Sequence, residues 1–290
     1  MINNAYIYIH IPLCIKKCNY CNFCSFPVKS FPVTEYVNRL RYEIDKIIDD
    51  YSITSIDSIY IGGGTPGLLS IKDYEYILKP LLELTFNDNN EFTIEINPSS
   101  SDYNYIKNLK PLGINRISLG AQSFNNNILK CLGRPHNVSD IYLAIDNIKK
   151  ATINNISIDL MYGLPQQDLI DWNYTLQETL SLDIKHISAY GLKIEPDTPF
   201  NKKYSPEHSH IPDDEAQALM FLEAHKVLNI NNFNHYEISN YSKAGFECKH
   251  NLNYWLNKPY LGVGLAAHSF INNQRIENSS DISVYLNNKN

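Results

Sequence analysis

Cys14, Cys18 and Cys21 stand at C-x3-C-x2-C spacing, just after the first apolar run of the chain, Tyr6 to Leu13. Three thiolates in one tight loop can each take one iron of a four-iron cluster. The fourth iron then has no protein ligand, and an open iron can bind and activate another molecule. Zinc is the competing reading. Structural zinc sites close with four ligands, commonly two C-x2-C-like pairs far apart in the chain. No distant pair matches here, because Cys131 and Cys248 stand alone. Cys24 could serve as a fourth ligand, although it reads better as a spare thiol packed in the loop. Spacing alone leaves zinc open, while densely placed soft thiolates suit iron–sulfur at least as well.

Other residues with chemical potential fall at the ends of apolar runs. Gly62-Gly63-Gly64-Thr65-Pro66 ends one of them, and Glu95 closes the next. Gln122 follows a third, and Asp159 lies in a fourth. Glycines after a strand often only make a turn. Their functional use is to let the backbone approach a ligand and offer it N–H and C=O groups. Glu95 and Asp159 could be plain caps, or carboxylates aimed at ligand hydroxyls or an amino group. Arg134, in Leu132-Gly-Arg-Pro-His136, could be a surface cation or a bidentate partner for a ligand carboxylate.

The elements that must position these residues follow from periodicity. Apolar, β-branched or aromatic runs recur at 5–11, 57–61, 91–96, 115–119, 156–161 and 184–190. Helical patterns fill the gaps at 34–50, 71–84, 101–110, 138–151, 170–182 and 213–229. The first is the clearest, with Thr34 as the expected N-cap and Val37, Leu40, Ile44, Ile47 and Ile48 on one stripe. Strand alternating with helix predicts an α/β fold with a parallel sheet. Six units fall short of the eight of a closed barrel, so the expectation is a partial (β/α)6 barrel. In such folds the carboxyl ends of the strands carry the chemistry, and the residues singled out above converge on that rim.

Composition bounds the function. The chain has 290 residues, 43% of them hydrophobic, enough for one large domain or two small ones. A formal charge of -6 argues against a nucleic-acid binder. No apolar run approaches the roughly 20 residues of a membrane span, and the start shows no signal-peptide pattern. A cytoplasmic location is therefore expected. Reduced thiols belong there, and six cysteines read as a metal site before a disulfide framework.

The chain resembles radical S-adenosylmethionine (SAM) proteins, in the group containing oxygen-independent coproporphyrinogen III oxidase and the HemW heme chaperones. The resembling segments run from Tyr8-Ile-His-Ile-Pro-Leu-Cys14 to Ala267-His-Ser-Phe270. Between them lie Ile61-Gly-Gly-Gly-Thr-Pro66, Thr93-Ile-Glu-Ile-Asn-Pro98, Asn115-Arg-Ile-Ser-Leu-Gly-Ala-Gln-Ser-Phe124, Ser157-Ile-Asp-Leu-Met-Tyr-Gly-Leu-Pro165 and His235-Tyr-Glu-Ile-Ser-Asn-Tyr241. The resemblance implies that Cys14, Cys18 and Cys21 ligate a [4Fe–4S] cluster whose open iron chelates SAM. Electron transfer from the cluster would then release a 5′-deoxyadenosyl radical. It implies that Tyr8, Gly63, Gly64, Thr65 and Glu95 hold SAM. Tyr20, Gln122, Arg134 and Asp159 match positions that line a second SAM molecule in the oxidase.

Two features separate oxidase from chaperone. The oxidase pattern places a fourth cysteine two residues after the third, where this chain has Phe23. His250-Asn-Leu-Asn-Tyr-Trp255 resembles the H-N-x-x-Y-W pattern of the heme chaperones, which implies His250 as an axial ligand of heme. The expectation is a heme-binding and heme-transferring protein, with residues 1–230 as the radical-SAM core and 231–290 as an extension carrying that motif. The relatives usually continue into a further helical domain, which is expected to be missing here. The implied partners are heme-accepting proteins such as respiratory enzymes and an electron donor, with room for a homodimer and peripheral membrane association. Coproporphyrinogen oxidation and a metal-stabilised module without radical chemistry are the alternatives.

Overall fold

The computed structural model describes residues 2–204 and 210–288. Six parallel strands follow the expected order: β1 (Ala5–Ile11), β2 (Ser55–Gly63), β3 (Thr85–Ile96), β4 (Arg116–Gln122), β5 (Asn155–Tyr162) and β6 (His186–Gly191). The segment after residue 230 adds β7 (Asn234–His235), β8 (Asn240–Ser242) and β9 (Leu261–Val263). The sheet order is β9-β1-β2-β3-β4-β5-β6-β8-β7. Strand β9 joins parallel to β1, while β8 runs antiparallel to β6 and β7 antiparallel to β8. The edges β7 and β9 do not pair with each other, so the sheet stays open. The residues after 230 thus extend both edges of the same sheet.

Strand periodicity sorts the side chains by face. Ile7, Ile9 and Ile11 of β1, Ile59 and Ile61 of β2, Phe92 and Ile94 of β3 and Ile117 and Leu119 of β4 are buried. Each apolar side chain taken fully from water contributes about 1.5–3 kcal/mol. The alternate positions are polar. Tyr8 pairs in register with Tyr60, Tyr60 with Thr93, Thr93 with Arg116, Glu95 with Ser118, Ser118 with Ser157 and Asp159 with Ser188. One face of the sheet thus packs on helices, and the other carries a lattice of hydroxyls, carboxylates and imidazoles.

Helices α1 (Val33–Tyr51), α2 (Ile71–Leu82), α3 (Tyr103–Leu109), α4 (Asn126–Leu132), α5 (Val138–Lys150) and α6 (Leu169–Leu180) connect the strands. Then come α7 (Pro199–Lys203), α8 (Asp214–Ile230), α9 (Lys249–Trp255) and α10 (Ile282–Asn287). Helix α1 buries Val37, Leu40 and Ile44, as its stripe predicted. Its start differs: it begins at Val33 behind Pro32, so Thr34 lies inside the first turn and is not the cap. Buried Glu43 of α1 accepts hydrogen bonds from Gly264 N (3.0 Å), Asn278 Nδ2 (2.6 Å) and Tyr285 Oη (2.6 Å). One carboxylate in α1 thereby holds the end of β9 and helix α10 in place. Among the described residues no helix is long and apolar enough to cross a membrane.

Candidate functional site

The loop carrying the three cysteines is closed at its base. Leu13–Cys14 pairs in parallel with Phe26–Pro27, and Phe26 N donates to Pro12 O at 2.7 Å. His10 Nε2 lies 2.9 Å from the Cys24 carbonyl, so that nitrogen carries the proton and Nδ1 accepts from Tyr8 Oη at 3.0 Å. Asn19 ties the loop to the end of α4, with Asn19 N donating to Leu132 O (2.9 Å) and Asn19 Nδ2 to Cys131 O (2.8 Å). Gly133 caps that helix at φ 71°, and a Cβ there would meet the Asn19 side chain at 3.1 Å. Residue 134 is thereby delivered beside the loop.

Cys14, Cys18 and Cys21 are half-buried free thiols lining one cavity of about 360 Å³. Burial raises the Cys21 thiol above its ordinary pKa, and the neighbouring Cys18 and Cys14 add to the rise. Among the described residues no three His, Cys, Asp or Glu side chains converge as they would on a single ion. A cluster asks for something else, because each thiolate goes to a different iron and the inorganic core holds them apart. Cys24 does not line the cavity. Its sulfur faces Ser280 O at 3.9 Å, and the residue packs against the core.

Across the cavity the strand ends supply charge. Glu95 Oε1 accepts from Tyr60 Oη at 2.9 Å and Oε2 from Gly63 N at 3.1 Å. Enclosure by protein pushes its carboxyl up to about 7, with the Asp159 charge adding to the effect. Asp159, raised by the same desolvation, accepts from Ser118 Oγ at 2.9 Å. Arg134 donates through Nη2 to Gly120 O (2.6 Å) and through Nη1 to Cys18 Sγ (3.4 Å). Its Nε is buried with no partner, while Nη1 and Nη2 each keep a second N–H beyond these bonds and the residue lines the cavity.

The glycines meet steric demands. A Cβ on Gly64 would lie 2.5 Å from Leu13 O, and one on Gly63, at φ 115°, would lie 2.5 Å from the His10 ring. Gly64 N donates to Ile11 O (2.9 Å) and Thr65 N to Leu13 O (2.6 Å). The amide donors of this turn are therefore used inside the protein. Thr65 Oγ1 stands 3.9 Å from Cys14 Sγ. At the end of β4 the ladder with β5 shifts register between Gly120 and Gln122, and Gln122 takes φ 69°. Gln122 shares the cavity face with Ser118 and Gly120, and the bare Gly120 leaves room for both Gln122 and Arg134.

The cavity thus gathers Cys14, Cys18, Cys21, Tyr20, Gly63, Gly64, Thr65, Glu95, Gln122, Arg134 and Asp159. Two expected residues lie elsewhere. Tyr8 does not line it; its hydroxyl is spent on His10, so it supports the cysteine loop at one remove. His250, expected as a heme ligand, is 1% exposed beneath the cavity floor. Its Nδ1 is 3.0 Å from Ser58 Oγ and its Nε2 2.9 Å from Tyr254 Oη, so it offers no free lone pair to an iron. Burial and the Arg116 charge lower its pKa to about 3, which keeps it neutral. Buried Glu91 fixes this segment by accepting from Lys249 N (2.9 Å), His250 N (3.2 Å) and Cys248 Sγ (3.2 Å).

Sequence reasoning missed Tyr60, Asn97, Met161 and Tyr190 in the lining. Strand parity could have found three of them, since Tyr60, Met161 and Tyr190 share the face of Glu95 and Asp159. Asn97 is aimed by His136, whose Nδ1 lies 3.1 Å from Asn97 Oδ1 and whose Nε2 faces Ala121 O at 3.2 Å. No sequence signal links residues so far apart.

The chain matches the family described as the Radical SAM superfamily over residues 8–178. It is 40% identical over 286 residues to the heme chaperone HemW of Buchnera aphidicola subsp. Schizaphis graminum, covering 98% of this chain and 74% of that protein. It is 37% identical to the heme chaperone HemW of Bacillus subtilis, over 96% of this chain and 74% of the relative. In fold it is similar to the coproporphyrinogen III oxidase HemN of Escherichia coli, with a TM-score of 0.85 and 21% identity, covering 98% of this chain and 68% of that one. At that identity the likeness speaks for the fold alone.

Proposed function

The chain belongs to the radical SAM superfamily and, within it, to the family of the HemW heme chaperones, and from that premise we propose that it is a [4Fe–4S] protein that binds SAM and heme and hands heme to acceptor proteins. One observation carries the cofactor part of this reading: three free thiols, two carboxylates raised by burial and the Arg134 guanidinium line one cavity. The donor set fits the cofactors. Cys14, Cys18 and Cys21 would each take one iron. When bound, the cluster supplies one-electron reduction of a sulfonium at its open iron.

The protein's own residues do the rest. Glu95 and Asp159 present acceptors for ligand hydroxyls or an ammonium, and Arg134 presents a donor for a carboxylate. Arg134 Nη1 also donates to Cys18 Sγ, which holds that side chain against the strand ends. Tyr60 holds Glu95 from below, and the close-set glycine backbone forms one wall.

Heme stands differently. His250 as placed does not fit axial ligation, so no step is derived through it. The heme-handling part rests on the family. Phe23, 63% exposed at the edge of the cavity, occupies the position of the oxidase's fourth cysteine and supports chaperone over oxidase.

The test is anaerobic cluster reconstitution, then titration with heme and transfer to a heme-free acceptor enzyme, with coproporphyrinogen III plus SAM in a parallel reaction. Stoichiometric heme binding with transfer and no porphyrinogen conversion is the expected result. Turnover to protoporphyrinogen would replace this reading with the oxidase.

A further inference from the structure

Two histidines outside the cavity meet nitrogen to nitrogen. His225 lies on the exposed side of α8 and His235 in β7, and their Nδ1 atoms are 3.0 Å apart. The surrounding bonds fix the tautomers. His235 Nε2 lies 3.0 Å from the Ile238 carbonyl, which only accepts, so Nε2 carries the proton and Nδ1 holds a lone pair. The contact between the rings then makes His225 Nδ1 the donor, and the Asn229 amide lies against the His225 ring, 3.0 Å from Nε2 and 3.4 Å from Nδ1.

The His235 ring is held in place. It stacks on Tyr241 with centroids 4.1 Å apart and planes at 12°, and the Phe221 ring meets it edge-on at 5.8 Å. Tyr241 is 1% exposed, so the platform beneath the ring is part of the core. His225 is exposed, which leaves the junction open to solvent on its side.

We propose that His225 and His235 form a binding site for a divalent cation of the zinc, nickel or copper class. Two imidazole nitrogens each about 2.0–2.1 Å from one tetrahedral ion lie roughly 3.3 Å apart, so the 3.0 Å pair needs only a small opening to take the ion. Neutral imidazole suits this class of ion, whereas calcium and magnesium seek carboxylate and carbonyl oxygen. With two protein donors, water completes the ion's shell. Metal-binding histidines commonly give their second ring N–H to an acceptor, and for His235 that acceptor is already in place. His235 keeps its Nε2–H on Ile238 O. His225 moves its proton from Nδ1 to Nε2, and the Asn229 amide turns to accept it. The ion takes the place of the shared hydrogen. The site is separate from the cysteine loop and independent of the heme reading.

The test is calorimetric titration of the cluster-loaded protein with Zn2+, so that the cysteine thiols are already engaged. Wild type is expected to take up one more equivalent than His225→Ala, whose exposed position makes misfolding no concern, and His235→Ala should lose the same equivalent. Asn229→Leu should keep the equivalent but bind it about tenfold more weakly, an effect that two unrelated surface histidines would not show. Equal uptake by wild type and His225→Ala, or no uptake by wild type, overturns the proposal.

Discussion

Glu95→Gln separates stability from ligand binding, and the structure sets the size of the effect. The carboxyl of Glu95 is pushed from 4.5 to about 7 by enclosure in protein, with Asp159 as the second cause. Its folded-state value lies above its unfolded one, so the folded state binds the proton more tightly. Stability from this group is therefore present below pH 4.5 and falls as pH rises through the window from 4.5 to about 7. At 1.36 kcal/mol per unit the ionised carboxylate costs the apoprotein about 3 kcal/mol at pH 8. Glutamine removes that cost. It can accept from only one of the two donors now served, Tyr60 Oη and Gly63 N, and the remaining mismatch costs about 1–2 kcal/mol. The variant should be more stable than wild type by about 1–2 kcal/mol at pH 8 and lose that advantage by pH 4.5. Urea unfolding of both proteins without SAM, followed across this range, reads the difference directly. SAM affinity of the reconstituted variant should fall over the same comparison. A difference between the two proteins that stays constant with pH would refute the claim that Glu95 is a charge held at a desolvation cost.

Replacing Cys18 with alanine should abolish iron uptake, whereas Cys24→Ala should bind iron like wild type, because the Cys24 sulfur faces Ser280 and not the cavity; iron and sulfide analysis after reconstitution reads both. Gly64→Ala should destabilise by about 2 kcal/mol or more and impair cluster loading, since its Cβ would meet a backbone oxygen at 2.5 Å that no side-chain rotation relieves; chemical unfolding and iron content check it. His250→Ala leaves Ser58 Oγ and Tyr254 Oη without their partner and opens a buried void, at a cost of about 2–4 kcal/mol. With fold retained at low temperature, its heme affinity should match wild type, as measured by optical titration.

The six strands and the rim they build were legible because the pattern is local. In Thr93-Ile-Glu-Ile and Ser157-Ile-Asp-Leu the apolar residue recurs every second position, and one short segment reveals both the strand and its polar face. The three-residue strand β9 was not legible, because its place beside β1 follows from a pairing some 250 residues apart in the chain. The fate of His250 was hidden for the same reason. The motif around it resembles a ligand site, but the carboxylate of Glu91, on β3, holds its backbone in the core. Gln122 was placed at the rim by sequence, yet its left-handed backbone and the register shift beside it show only in the structure. The His225–His235 contact joins a helix to a strand ten residues on, and nothing in the spacing marks it.

The central claim is that Cys14, Cys18 and Cys21 hold a cluster whose fourth iron opens onto the cavity of Glu95, Arg134 and Asp159. Electron paramagnetic resonance of the anaerobically reduced protein, recorded with and without SAM, tests it most directly. The account predicts a reduced [4Fe–4S] signal that changes when SAM is added and a signal lost in Cys18→Ala. A cluster signal indifferent to SAM, or one that survives the loss of Cys18, would contradict it.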